Sequence, residues 1–455
     1  MKLNAHTQLF YGLVGLVIFL PLPLGSNRVW AWSIVEAWIF ILMAFLIVLN
    51  VQKKIILPIY IKKCWFPFFS LLGFFVFSVF QLMPWDHWFP KPIDTLNEVG
   101  WLQFSVDPYA TLQASIKTLS FVCLFALVIV LVNSERYIKL LLMCVFLSGL
   151  FQALYGSFMT LTGIEHIFFL EKYTYIGKAT GTFINRNHFA NYLIMSVAAG
   201  TALLLLDLSD RKSSNIRELF IRTLRFFLST KMLLRIGLAM CVVGIVLSQS
   251  RMGNTAFFVA LTISGFLWLV LTKRITIKAV FLLSSIILID LLIVGQWFGF
   301  EEVKQRLQNT SSQAETRDEV SRDTLLYIND FAWVGSGGGS FYSVYPNYQS
   351  DDVKHFYKEA HNDYLQFLSE YGIIGTLFIA FFVISSAYIA LATMIKRRNK
   401  VMQATGFCSL MVIIALLIHS SVDFSLQITA NAASMIVLIG LAWVARYLSV
   451  HRLAK

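Results

Sequence analysis

The stretch that decides the fold is "AHNDYLQFLSEYGIIGTLFIAFFVISSAYIALATMIKRR", residues 360–398. From Tyr371 to Met394 it carries no charge, and it stops at Lys396-Arg397-Arg398. A helix rises about 1.5 Å per residue, so some 20 apolar residues cross the roughly 30 Å hydrocarbon layer of a bilayer. The run therefore predicts a transmembrane helix with a polar His-Asn-Asp lip at one end. Similar runs predict about twelve spans, near 8–24, 29–50, 66–83, 111–132, 138–162, 187–207, 233–250, 253–272, 278–299, 371–394, 404–420 and 430–448. The composition agrees. The 455 residues are 57% hydrophobic and 14% charged, with mean hydropathy +0.69, which excludes an ordinary soluble domain and a disordered chain alike. The expected fold is an all-α polytopic membrane protein. Its first run has no small-residue cleavage site and reads as a span, not as a removed signal.

Lysine and arginine placement orients the bundle. Lys2, Lys53-Lys54, Lys62-Lys63, the stretch Arg211–Lys231, Lys273-Arg274, Lys396-Arg397-Arg398 and the Arg446–Lys455 tail fall on one side, which is then cytoplasmic with both termini. The net charge of +12 is mostly this topological signal. With no basic, aromatic-interleaved soluble domain, it does not argue for nucleic acid. The other face carries residues 84–110, 163–186, 300–370 and 421–429. Cys64, Cys123, Cys144, Cys241 and Cys408 all avoid these segments, so no disulfide framework or thiolate metal site is implied there.

The organisation is one membrane domain, 1–455. Segment Leu208–Lys231 reads as an interfacial amphipathic helix, with phenylalanines set among arginines. Residues 300–370, between the ninth and tenth spans, are too long for a passive connector and predict a cap or lid that carries part of the site. Within it, "SRDTLLYINDFAWVGSGGGSFYSVYPNYQ" reads as a short helix, a glycine turn and aromatic-rich irregular chain.

Few charges fall inside the spans: Glu36, Lys117 and Asp290. The polar residues gather at the outer helix ends instead. "PLPLGSNRVWAW" places Arg28 at the outer interface, where a Pro/Gly turn with interfacial tryptophans is the plain alternative. "GTFINRNHFANYL" puts Arg186 and His188 at a helix start, whose free N–H groups suit a phosphate; Asn185 or Asn187 reads equally as a simple N-cap. "SQSRMG" puts Arg251 on the same face, either snorkelling to headgroups or pairing with Arg186 as an anion clamp. His361 titrates near neutrality when unperturbed, and stands open between proton transfer and plain packing. "HSSVDFSL" adds His419 and Asp423 as outer residues of the site or as a cap. Two arginines and a histidine on an outer face point to a substrate with a phosphate group and a hydroxyl to be activated.

At these motifs the chain resembles the bacterial O-antigen ligase and polymerase superfamily. Its ligase signature, His-(Asn/Ser/Gln), nine residues, then Gly-x-x-(Gly/Thr/Tyr), is matched by His361-Asn362 and Gly372–Gly375. "NRNHFANYL", "SQSRMG", "GSGGGSF" and "HSSVDFSLQITAN" are similar to family motifs and follow in family order. The resemblance implies a GT-C-like, metal-independent, inverting glycosyltransferase of the inner membrane, without cofactor, acting on its periplasmic face. The donor implied is a glycan on undecaprenyl diphosphate. The acceptor is lipid A–core for an O-antigen ligase, a growing O-antigen or exopolysaccharide for a polymerase, or a protein for an oligosaccharyltransferase. Outside this class stands a lipid-sugar flippase, which would need a polar path through the bilayer midplane. Carried over by motif, His361 activates the acceptor, and Arg186 and Arg251 hold the diphosphate. Arg28, Lys117, Asn185, His188, Arg322, Asn362, Tyr364, His419 and Asp423 are implied substrate contacts. Asp290 and Asp363 receive no role.

Overall fold

A computed structural model of the protein describes residues 4–84, 104–206, 230–272, 280–281, 283–286, 288 and 317–449. Its helices are α1 (Ala5–Phe19), α2 (Val29–Val51), α3 (Trp65–Phe80), α4 (Pro108–Leu131), α5 (Glu135–Thr162) and α6 (Arg186–Leu206). These are followed by α7 (Thr230–Leu247), α8 (Arg251–Leu271), α9 (Arg317–Asp330), α10 (Asp363–Lys396), α11 (Lys400–His419) and α12 (Thr429–Tyr447). The only sheet among the described residues is a small hairpin, β1 (His166–Ile167) with β2 (Leu170–Glu171).

The chain is thus an all-α polytopic membrane protein. Among the described residues, nine helices are long and apolar enough to cross a membrane, against the twelve expected from sequence. Ala5–Phe19 and Met232–Leu247 are apolar but shorter. The ninth expected span, 278–299, lies almost wholly outside the described residues, as do Asp290 and the expected interfacial helix up to residue 229.

Burial sorts the helices. In α6, 94% of the apolar window is buried inside the protein, against 22% in α2, so α6 is central and α2 is left to lipid. With α11 and α12, α6 forms the middle of one continuous apolar core. Small residues let these helices meet closely, as membrane packing requires. Capping sets many starts: Asp107 accepts from Ala110 N–H, Ser250 from Gly253 N–H, and Asn399 from Val401 and Met402 N–H.

The tenth expected span begins eight residues earlier than its apolar run, at Asp363, and breaks at Gly372 (φ 60°, ψ −171°). A broken helix is tolerable in a bilayer only if its freed backbone groups find partners. Here the glycine loop supplies them. Ser336 and Gly337 N–H donate to the Ser369 and Glu370 carbonyls (3.1 and 2.9 Å), and Ile373 and Ile374 N–H donate to Ala332 and Trp333 carbonyls (2.8 and 3.2 Å). Gln81 on the loop after α3 clamps the joint, its Nε2 donating to the Val334 and Glu370 carbonyls at 2.7 and 2.9 Å.

Beyond that joint, residues 317–362 form a cap at the end of the bundle remote from Lys396. It has its own apolar core of Val320, Tyr327, Phe331, Phe341, Tyr345 and Val353. Tyr327, Ser336 and Ser340 hydroxyls are linked beneath it.

Candidate active site

The site lies under the cap, where the starts of α6, α8 and α10 meet the loop between α11 and α12. Its centre is the carboxylate of Asp423, which is 1% exposed. Three imidazoles surround it. His188 Nε2 and His361 Nδ1 lie 3.8 and 4.0 Å from Oδ1, and His419 Nδ1 lies 4.0 Å from Oδ2. These are electrostatic separations; neither carboxylate oxygen is held by a hydrogen bond. Phe424 packs edge-on against both the His188 and His361 rings, at 4.7 and 4.8 Å between centroids. Ser425 Oγ stands 3.1 Å from His419 Nδ1.

His361 is the member with a way out: its side chain is 20% exposed, against 2% for His188 and none for His419. Its backbone adopts the left-handed region (φ 52°), which non-glycine residues rarely enter. Both neighbours hold it there. Ala360 N–H donates to Gln366 Oε1 at 2.6 Å. Asn362 caps α10, accepting from Tyr364 and Leu365 N–H at 3.0 and 3.2 Å and donating to the Ser421 carbonyl at 2.9 Å. Strain confined to one residue by flanking bonds is a pattern of functional sites.

Burial, with the Arg317 guanidinium nearby, pushes His361 down to about 3, so the imidazole is neutral at physiological pH. Burial pushes Asp423 up to about 6, opposed by Arg317, the Phe424 N–H, Asn187 and Arg186. Near neutrality a neutral imidazole therefore faces an ionised carboxylate, the charge pattern of a general base with an orienting partner.

The arginines stand at adjacent helix starts. Arg186 opens α6 and lies over the Tyr175 ring, 5.7 Å from its centroid. Arg251 opens α8 and is exposed. The two starts press together: a Cβ on Gly253 would sit 2.8 Å from the Ala190 Cβ. Two guanidiniums and two sets of helix N–H groups then face the same region, an arrangement suited to a diphosphate.

Asp363, without a role from sequence, pins the α11–α12 loop. Its Oδ2 accepts from Ser420 Oγ (2.9 Å) and Leu426 N–H (3.1 Å), while its own N–H donates to the Ser420 and Asp423 carbonyls (2.9 and 3.1 Å). It thereby sets where Asp423 sits. Arg317 on α9 was missed from sequence, yet its Nη1 donates to the Val422 carbonyl at 3.4 Å and its charge reaches His361 and Asp423. Arg322, the arginine singled out from sequence, points elsewhere, to Asp323 and Asp352 at 3.7 and 3.9 Å.

The remaining expected contacts divide. Asn185 is a cap, its Oδ1 accepting from Asn187 N–H at 2.8 Å. Tyr364 OH donates to the Leu417 carbonyl at 2.7 Å and braces α10 on α11. Arg28 caps the start of α2 and donates to Tyr173 OH at 2.7 Å, beside the hairpin and not at the histidines. Lys117 lies in a separate cavity, its ammonium 4.4 Å from the centroid of the Trp32 ring. Among the described residues no group of three or more His, Cys, Asp or Glu side chains is arranged to hold a metal ion.

Fold and cluster together define a multi-pass α-helical membrane protein with a buried ionisable centre at one end of its bundle. Residues 236–380 match the O-antigen ligase family, and this match supports the O-antigen ligase/polymerase superfamily and a membrane glycosyltransferase of that kind. The matched stretch carries Arg251, Arg317 and His361; Arg186, His188, His419 and Asp423 lie outside it and reach the site only through the fold. No curated protein matches the chain.

Proposed function

We propose that the protein is an O-antigen ligase-like enzyme of the bacterial inner membrane. It transfers a glycan from undecaprenyl diphosphate to an acceptor hydroxyl on the periplasmic face, the acceptor being lipid A–core. The observation that carries the reading is the neutral, partly exposed His361 held against the Asp423 carboxylate, with two arginine-bearing helix starts close by. His361 takes the proton from the acceptor hydroxyl through Nε2, while Nδ1–H faces Asp423. The hydroxyl oxygen forms its bond to the anomeric carbon from the side opposite the diphosphate, giving inversion. The bond from that carbon to the phosphate oxygen breaks, and its electron pair leaves with the diphosphate. Arg186 and Arg251 neutralise the charge that develops there, so the leaving group needs no metal from this chain's residues. Residues 300–370 act as the lid over this chemistry.

A polymerase of the same superfamily would share donor and clamp and differ in acceptor. Purified protein incubated with undecaprenyl-diphosphate glycan, with and without lipid A–core, tests the reading. Product on core is expected. A ladder on donor alone would make it a polymerase, and no transfer in either arm would overturn the reading.

A further inference from the structure

On the far side of the 359–363 segment from the arginines lies a cavity of about 250 Å³, bounded by α2, α3, α4, α10 and α12. Its mouth is polar, with Asn27, Lys117, Glu359, Glu370 and Gln427 in the wall. Its depth is hydrocarbon, with Phe74, Phe121, Phe378 and Phe382. Along α4 the lining runs from Ala110 to Phe121, about 16 Å at the helical rise. The slot therefore begins at the cap and ends well inside the membrane layer.

The polar groups at the mouth are not spent on one another. Lys117 and Glu359 make no hydrogen bond or ion pair with any described residue; Lys117 has only the Trp32 face beside it. Glu370, by contrast, is committed: its carboxylate accepts from Gly339 N–H and Gln366 Nε2 at 2.9 and 2.6 Å. One ammonium beside two carboxyl groups leaves no excess positive charge, so the mouth offers nothing that an anion would prefer over the arginines. Burial, aided by Glu370, pushes Glu359 up to about 8. At neutral pH it then has a proton to donate as well as an oxygen to accept with. Hydroxyl groups need both, and the ring faces of Trp32 and Tyr342 suit the apolar face of a sugar.

We propose that this slot binds a neutral glycolipid, with a hydroxylated sugar ring among Lys117, Glu359 and Trp32 and its hydrocarbon chain running down the phenylalanine wall. Building on the transferase reading, the slot is the acceptor side of the reaction. Glu359 and His361 flank Ala360 on one short stretch of chain, so a sugar held by Glu359 lies next to the proposed base. A protein acceptor, which brings no hydrocarbon, does not use the slot.

The test uses the full-length protein in nanodiscs and octyl β-D-glucopyranoside carrying a diazirine at the end of its chain. On irradiation, labelled peptides should map to the slot phenylalanines. Excess octyl glucoside should suppress that labelling at least tenfold. Methyl glucoside, which lacks the tail, octyl phosphate, which is anionic, and undecaprenyl diphosphate, which lacks the sugar, should not. Lys117→Met, Glu359→Leu and Trp32→Ala should each reduce labelling at least fivefold, with Glu359→Gln keeping most of it. Labelling confined to lipid-facing positions such as Phe45 or Phe266 overturns the proposal. So does equal competition by octyl phosphate, and competition by undecaprenyl diphosphate would hand the slot to the donor. Labelling requires no turnover, so failure here leaves the transfer reaction standing. Absence of transfer with labelling intact would instead remove the transferase reading.

Discussion

Gly372→Ala tests whether the break in α10 is a built joint. At φ 60°, ψ −171° the backbone lies in a region open essentially to glycine alone, which costs any other residue about 1–3 kcal/mol. Space adds to this. An alanine Cβ would sit 2.5 Å from the Trp333 carbonyl carbon and oxygen and 2.6 Å from Gly335 N, all backbone atoms that no side-chain rotation can move away. Relieving the overlap means withdrawing residues 332–337, which gives up some of the four backbone bonds that satisfy the break, each worth about 1 kcal/mol net and more when a buried group is left unpaired. The total is roughly 3–6 kcal/mol, a large fraction of ordinary domain stability. Thermal unfolding of purified protein in detergent should show the variant melting at least about 5 °C lower. Transfer should fall as well, because the cap and the start of α10 share this joint. Gly375→Ala is the companion. Its glycine lies inside regular helix and its nearest contacts are side chains of Tyr371 and Phe77, so a smaller loss is expected. A Gly372→Ala protein that melts within about 1 °C of the parent would refute the reasoning.

Three further outcomes are expected. His361→Ala, Arg186→Ala and Arg251→Ala should each lower the transfer rate about 10²–10⁴-fold while leaving the melting temperature near that of the parent; full activity in the His361 variant would remove it as the base. Transfer should rise through pH about 6 as Asp423 ionises, and His361, held near 3, should contribute no limb of its own; in Asp423→Asn the residual rate should be flat from pH 5 to 8. The same Asp423 shift runs the other way for stability: its folded value is above the unfolded one, so the stability it contributes is complete below pH about 4 and lost as pH rises through about 6. Asp363→Ala should cost about 3–5 kcal/mol, read as an earlier unfolding midpoint, because it strands the Leu426 N–H and the Ser420 hydroxyl in a buried loop.

The spans were legible because an apolar run of membrane length has few other uses, and the described runs stand where the hydropathy puts them. The start of α10 was not. Asp363 and Glu370 make residues 363–370 look like polar lead-in, whereas both carboxylates are buried and accept hydrogen bonds from other segments, Asp363 from the α11–α12 loop and Glu370 from the glycine loop. Helical bonding continues through charged residues once another segment supplies their partners, and hydropathy has no access to that segment. His188, His361, His419 and Asp423 were each visible as polar residues at helix ends. Their meeting at one carboxylate depends on α6, α10 and α11 ending at the same level, a tertiary fact. The arginine error is of the same kind. Arg317 and Arg322 are five residues apart, more than a helical turn, so they project from different sides of α9, and only the packing of α9 under the cap selects the first.

The segment from Glu359 to Asp363 shows why a short irregular stretch carries so much of the site. A regular helix would repeat its direction every 3.6 residues and present one face. Here each residue answers to a different neighbour. Glu359 lines the slot, Ala360 N–H is tied to Gln366, and His361 turns through a left-handed backbone toward Asp423. Asn362 then starts α10, and Asp363 fixes the loop that carries Asp423. Gln366 joins the two sides, accepting from Ala360 and donating to Glu370, the carboxylate that also holds the glycine loop. One hydrogen-bonded line therefore runs from the strained histidine to the broken helix. A change in how the cap seats on Gly372 must reach His361 through Gln366, which couples closure of the lid to the direction of the base.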